Sequence, residues 1–227
     1  MPTGIFTNAW IAESAKILFR GNTAPDPTKF RLCLANTAAL SRTSTLAEFI
    51  SSELLPTNGY SRSLGNFSGD GVYDTTDQRY ENAIAASFTA SGGSLQFQTA
   101  FLLANSSSIA SKSFTNAEVN ATTDVITING HGFSNGDKLV FTADTLATLP
   151  GGIVANTIYT VASATTNTFA IGVDITNTGS GTFRARSANG IVVAYAIESS
   201  PITVPDGQGY SYNIPLAVLN TGYVTGV

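Results

Sequence analysis

LQFQTAFLLAN (95–105) and NGIVVAYAIES (189–199) read as the two halves of one β-hairpin. Both show apolar alternation with period two, and they are similar in length. Removing residues 112–186 would leave LLANSSS running into SANGIVVAYA, an ordinary polar hairpin loop. The segment between them is therefore expected to be a module inserted at a hairpin tip. Exposed tips tolerate insertion, and the ends of an inserted domain can lie close together.

The inserted segment has its own pattern. VITI, DKLVFT, IYTVASA, TFAIG and GTFRA are rich in β-branched or aromatic residues. Gly/Asn turns separate them about every 8–12 residues, the spacing of short antiparallel strands. Such a run can make a small barrel or sandwich. Within it, NGHGFSNGDKLVF (129–141) holds the only histidine of the chain. Gly130 and Gly132 permit positive φ, and Asn135-Gly136-Asp137 reads as a tight turn into a strand over 138–142. His131 and Phe133 would pack or cap that turn.

Outside the module, IFTNAWIAESAKILF (5–19) is the best helix candidate. Thr7 or Asn8 can cap it, Phe6, Trp10 and Ile17 give an apolar stripe, and Gly21 ends it. APDP (24–27) makes a rigid extended link. The helix either packs on its own domain or forms an arm (1–22) that docks on a neighbouring subunit. KFRLCLAN sets Phe30, Leu32 and Leu34 against Arg31, Cys33 and Ala35, again with period two. STLAEFISSEL (44–54) suggests a short helical turn led by Ser44. LPTNGYSRSLG (55–65) offers a turn at Asn58-Gly59 and then a strand. SGDGVYDTTDQRYEN (68–82) reads as a polar loop with clustered acids. AIAASFTAS, GSLQFQTAFLLANSSS, NGIVVAYAIES and SPITVPDGQGYSYNIPLAVLN read as four strand regions. The expectation is an all-β chain. Its host domain (23–111 and 187–227) is an antiparallel β-sandwich or jelly-roll-like fold carrying the small β domain 112–186.

Only 11% of the 227 residues are charged, and there are 21 glycines. Globular proteins usually carry roughly 25% charged residues. No charged residue stands between Asn82 and Ser111, or from Gly207 to Val227. Strands with one face in water usually show charge on that face. These strands are therefore expected to be covered on both faces, to form a subunit contact, or to present a Ser/Thr-rich solvent face. A net charge of -4 gives no basis for binding phosphate backbones, so no nucleic-acid partner is expected. MPTGIFTNAW lacks a basic n-region and a continuous apolar h-region, and no apolar run approaches the ~20 residues of a membrane span. Synthesis as a soluble chain in a cytoplasm is the expectation, with no membrane partner.

HGFSNGDKLVF, LPGGIVANTIYTV and ATTNTFAI together resemble a small β module that recurs in structural proteins of tailed bacteriophages. The likeness covers roughly residues 122–183, with four spaced elements in the same order. PTGIFTNAW, FRLCLAN, TNGYSR, TAFLLAN, GIVVAYAIES and VPDGQGYSYNIP resemble, more loosely, a second family of phage virion proteins. The resemblance implies a virion component, either a capsid cement or decoration protein or a tail or fibre component. It carries no catalytic residues.

The chemical candidates are few. His131 has no second histidine or cysteine cluster to complete a zinc or nucleophile site. Cys33 is the only cysteine, so no intrachain disulfide can form, and its apolar run suggests a buried thiol. Asp70, Asp74, Asp77 and Glu81 could bind Ca²⁺ or form a glycosidase pair, but their spacing matches no EF-hand loop and Arg79 competes for them. Tyr210, Tyr212 and Tyr223 could stack on sugars or anchor a subunit interface, and the missing charges favour the interface. No catalytic residue, metal or cofactor is expected. The expected function is a capsid cement protein on the phage head surface. It would bind across neighbouring major capsid protein subunits and associate with itself, with a trimer as one closed form. The rival is a tail adhesin for host-surface carbohydrate.

Overall fold

A computed structural model describes residues 4–67, 69, 71–75 and 79–219. The chain opens with β1 (Ile5–Phe6), α1 (Asn8–Arg20), β2 (Arg31–Ala35), α2 (Leu46–Ser52), β3 (Ser63–Leu64), β4 (Asn66–Phe67), β5 (Val72–Asp74), β6 (Arg79–Thr89) and β7 (Leu95–Ala104). Seven shorter strands follow: β8 (Ser111–Thr115), β9 (Val119–Asn120), β10 (Val125–Thr127), β11 (Lys138–Ala143), β12 (Ile158–Thr160), β13 (Thr168–Ala170) and β14 (Thr182–Ser187). The chain returns through β15 (Ile191–Val204) and ends in β16 (Gly209–Leu219). The fold is mostly β, with antiparallel sheets stacked as a sandwich.

The interrupted hairpin is real. β7 and β15 pair antiparallel from Ala104↔Ile191 to Leu95↔Val204, at the centre of a five-stranded sheet of order β1-β15-β7-β2-β3. β15 also absorbs the stretch expected to open the next strand. It runs on through Pro201, with a register break between Ile197 and Ile202 that lifts residues 198–201 out of the ladder. A proline is tolerated at such a bulge because no ladder N–H is required there.

Alternation along β7 explains its missing charges. Phe97, Ala100, Leu102 and Ala104 face a core shared with Ile84, Ala86 and Phe88 of β6 and Tyr212 and Ile214 of β16. Phe101 and Leu103 face the opposite side, against Phe49 and Ile50 of α2 and Tyr195. The central strand is therefore covered on both faces within one chain, and it reads as an apolar run for that reason. The β6–β16 ladder differs. Its inner residues are buried, while Ala85, Ser87, Thr89 and Ser211 face outward without charge.

Two local readings change. Thr45, not Ser44, caps α2: its hydroxyl accepts from Glu48 N while the Glu48 carboxylate accepts from Thr45 N at 2.6 Å. This reciprocal capping box satisfies two otherwise orphaned donors. The stretch 68–82 is not simply a loop. β5 pairs with β6 in the register Val72↔Glu81, Tyr73↔Tyr80 and Asp74↔Arg79. β-forming Val72, Tyr73 and Tyr80 favour a ladder here despite the acids around them.

Strands β8–β14 form two smaller sheets, of order β12-β11-β14-β8 and β13-β10-β9. They enclose a core of Phe114, Ile126, Leu139, Phe141, Phe169 and Phe183. On the other face of β11, Val140 joins Phe49 and Ile50 of α2 in the second core of the host. The smaller sheets and the host thus share one apolar seam.

Candidate functional site

Helix α1 presents several large apolar side chains to solvent. Thr7 caps it, accepting from Trp10 N at 3.1 Å, and Gly21 at φ 70° ends it. Its N-terminal end is tied down. Thr7 N donates to Val193 O at 3.1 Å, the Thr7 hydroxyl donates to Val192 O, and Phe6 and Trp10 pack against the main core. Beyond that end no residue of the helix is buried. Ile11, Ala15, Leu18 and Phe19 recur at the spacing of one helical face. Ile11 is 46% exposed, Leu18 76% and Phe19 85%. A stripe of large apolar side chains turned to water marks an interaction surface far more often than a solvent face. The helix is packed on its own domain at its root and exposed along its length.

The tyrosine reading needs correction. Tyr212 is 1% exposed, packed edge-on against Phe97, and its hydroxyl donates to Glu198 Oε1 at 2.6 Å. Burial, reinforced by the Glu198 carboxylate, pushes its phenol well above the usual range. It is core, available neither to a sugar nor to a partner. The physical reason is strand parity: Tyr212 shares the inward face of β16 with Ile214. Tyr210 is half-buried beside it, and Tyr223 lies outside the described residues. The bulge at 198–201 is what brings Glu198 over β16.

His131 is fully buried. Its Nδ1 accepts from Phe133 N at 2.9 Å, which leaves Nε2 to carry the proton toward Thr168 O at 3.3 Å. Its ring stacks on Phe133 and meets Phe169 edge-on. The turn beside it closes as Ser134 N donates to Asp137 Oδ2 at 2.8 Å, with Gly136 at φ 92°. Both imidazole nitrogens are committed to backbone groups. Cys33 is likewise fully buried, and burial pushes its thiol well above the usual range, with the Glu53 carboxylate adding to the effect. A thiol held protonated in this way is a poor nucleophile. Among the acids, Asp70 and Asp77 lie outside the described residues, while the backbones of Asp74 and Glu81 stand in the β5–β6 ladder.

One cluster escaped the sequence reading. Glu53 and Arg62 form an ion pair in which both side chains are fully buried. Arg62 Nη2 and Nε donate to the two carboxylate oxygens at 2.6 and 2.8 Å, and Tyr60 Oη donates to Oε1 at 2.8 Å. Burial opposes the charge on Arg62, but the Glu53 carboxylate outweighs it and raises the guanidinium above its ordinary value. Arg186 of β14 adds a second buried cation. Its Nη1 donates to Glu53 O at 2.7 Å and Ile50 O at 3.3 Å, capping the negative end of α2. Tyr60 and Arg62 stand in the motif TNGYSR, but nothing in that motif names their contacts. Charged residues are almost never fully buried unless paired, and here the pair becomes visible only once the chain is folded.

No protein-family model, curated protein or solved structure matches this chain. The surface that can act on another molecule is thus read from its own chemistry. It offers apolar area on α1 and the uncharged outward side chains Ala85, Ser87, Thr89 and Ser211 of the β6–β16 ladder.

Proposed function

We propose that this chain is a structural protein of a tailed-phage particle, a cement or decoration component of the head. It would bind across neighbouring major capsid protein subunits by burying surface, with no catalysis and no cofactor. The observation that carries this reading is the open stripe of α1. A helix rooted on the sandwich by Thr7 and Trp10, with Leu18 and Phe19 in water, is built to complete its packing on another chain. The outward side chains at the far end of the β6–β16 ladder, Ala85, Ser87, Thr89 and Ser211, carry no charge and support the reading, since no ion has to be desolvated there. The resemblance of residues 122–183 to a phage module supplies the biological setting. Self-association, with a closed ring such as a trimer, belongs to the same proposal.

The test is particle incorporation of the full chain against a chain lacking residues 1–22, with circular dichroism as the folding control. Loss of incorporation with the β signature intact is the expected result. Unchanged incorporation would overturn the role of the helix. Copy number in purified particles decides the location. Hundreds per particle are expected, whereas about a dozen would point to a tail adhesin.

A further inference from the structure

We propose that Arg62 is a staple that fixes the β8–β14 unit rigidly on the host sandwich. Two chain crossings connect the units, one leaving β7 and one entering β15. Such a connection is free to hinge unless contacts beside it oppose the motion; Val140 packed on α2 and the bonds of Arg186 oppose it on one side of the neck. Arg62 sits between the two crossings with no exposure of its side chain. Nη1 donates to Ser106 Oγ at 3.0 Å and Ser107 O at 3.4 Å on the outgoing crossing. Nη2 donates to Ser187 O at 2.7 Å on the returning one. Glu53 holds the guanidinium plane from behind through two further bonds. One rigid fork thus binds both crossings and the end of α2 at once, which a lysine's single ammonium cannot do.

Neighbouring groups reinforce the same joint. Asn189 Oδ1 accepts from Lys138 N at 2.7 Å, and Asn189 Nδ2 donates to Asp137 Oδ1 at 2.9 Å. Gly190, at φ 101°, brings the crossings so close that a Cβ there would lie 2.1 Å from Ala104 O. The module is therefore a rigid extension of the host. It presents its far loops at one fixed angle whatever the host is bound to. This inference does not depend on the functional reading above.

Amide hydrogen exchange on the full chain tests it, because the neck has its own reporters. Ser106 N bonds Lys29 O, Ser187 N bonds Ala110 O and Ala188 N bonds Lys138 O. In Arg62→Met, exchange at these three amides is expected to rise at least about tenfold relative to the ladder amides of β11, β14, β6 and β16, the equivalent of one or two lost hydrogen bonds. The double variant Glu53→Met/Arg62→Met removes both members of the ion pair, which restores stability in many buried pairs, and leaves Arg186 its bonds to the Ile50 and Glu53 carbonyls. It is expected to keep the selective loosening. Equal acceleration across neck and ladders, or no acceleration at the neck, would overturn the proposal and leave Arg62 as a general stabiliser. Failure of both variants to fold would overturn it too, since Arg62 would then be a folding requirement and not a positioning residue.

Discussion

The host and the β8–β14 unit are both antiparallel β structure, yet they are held together differently. The host relies on length. β6, β7, β15 and β16 run for 10 to 14 residues, and their register is set by long ladders with buried alternate residues. The module's strands are 2 to 6 residues long, too short for ladders alone to fix its loops. It relies on side chains that accept from loop backbone. Asn167 Oδ1 accepts from Gly130 N, Asn135 Oδ1 from Ala164 N, Asn177 Oδ1 from Gly151 N and Gly179 N, and Asp124 Oδ1 from Ile175 N. Short polar side chains thus do in the module what inter-strand bonds do in the host.

The joint between the two regions gives the largest expected effect. Glu53→Gln would leave Arg62 and Arg186 buried without a carboxylate. Breaking a buried pair from one side costs about 3–5 kcal/mol. Urea unfolding monitored by fluorescence should show this loss in both regions together. Two separated transitions in the wild-type chain would break the comparison, since the regions would then be independent and Glu53 would serve only one of them. Next in size is His131→Ala, at about 3 kcal/mol for the lost ring packing and backbone cap. Its effect should fall on the module: the ladder amides of β10 and β13 should exchange faster than those of β6 and β16. Uniform acceleration would show that the histidine supports the whole chain.

Legibility in the sequence divides along the same line. The module's turns were legible because their chemistry is local. Asn135, Gly136 and Asp137 carry the turn signal within three residues, and His131 lies beside the amide it caps. The β7–β15 pairing was legible from alternation on either side of the insertion. What could not be read is long-range and polar. Arg62 meets Ser187 across 125 positions and Arg186 meets Glu53 across 133. No spacing rule links such residues. Strand parity was the second loss. The bulge at 198–201 and the inward face of Tyr212 follow from register, which a one-residue slip would reverse.

A smaller effect sharpens the contrast between ladders and side-chain acceptors. Asn177→Ala removes the acceptor of two loop amides in the module and is expected to cost about 1–2 kcal/mol. Ser87→Ala on the open face of β6 loses only an exposed hydroxyl contact with Ser211 and should stay within about 0.5 kcal/mol. Equal costs measured in the same denaturation series would show that the module's loops hold without their asparagines.

The smallest expected effect on stability lies on α1, and it is the most telling for function. Leu18→Ser and Phe19→Ser change side chains that touch little of their own chain, so unfolding free energy should move by no more than about 0.5 kcal/mol. A core position such as Phe101, fully buried between the central sheet and α2, would lose several times that, about 3–5 kcal/mol on truncation to alanine. If Leu18→Ser lowers stability as much as a core change does, the helix packs on its own chain in solution and the stripe is not free. If stability holds while particle incorporation falls, the stripe is the contact surface, and its energy is realised only when a second chain covers it.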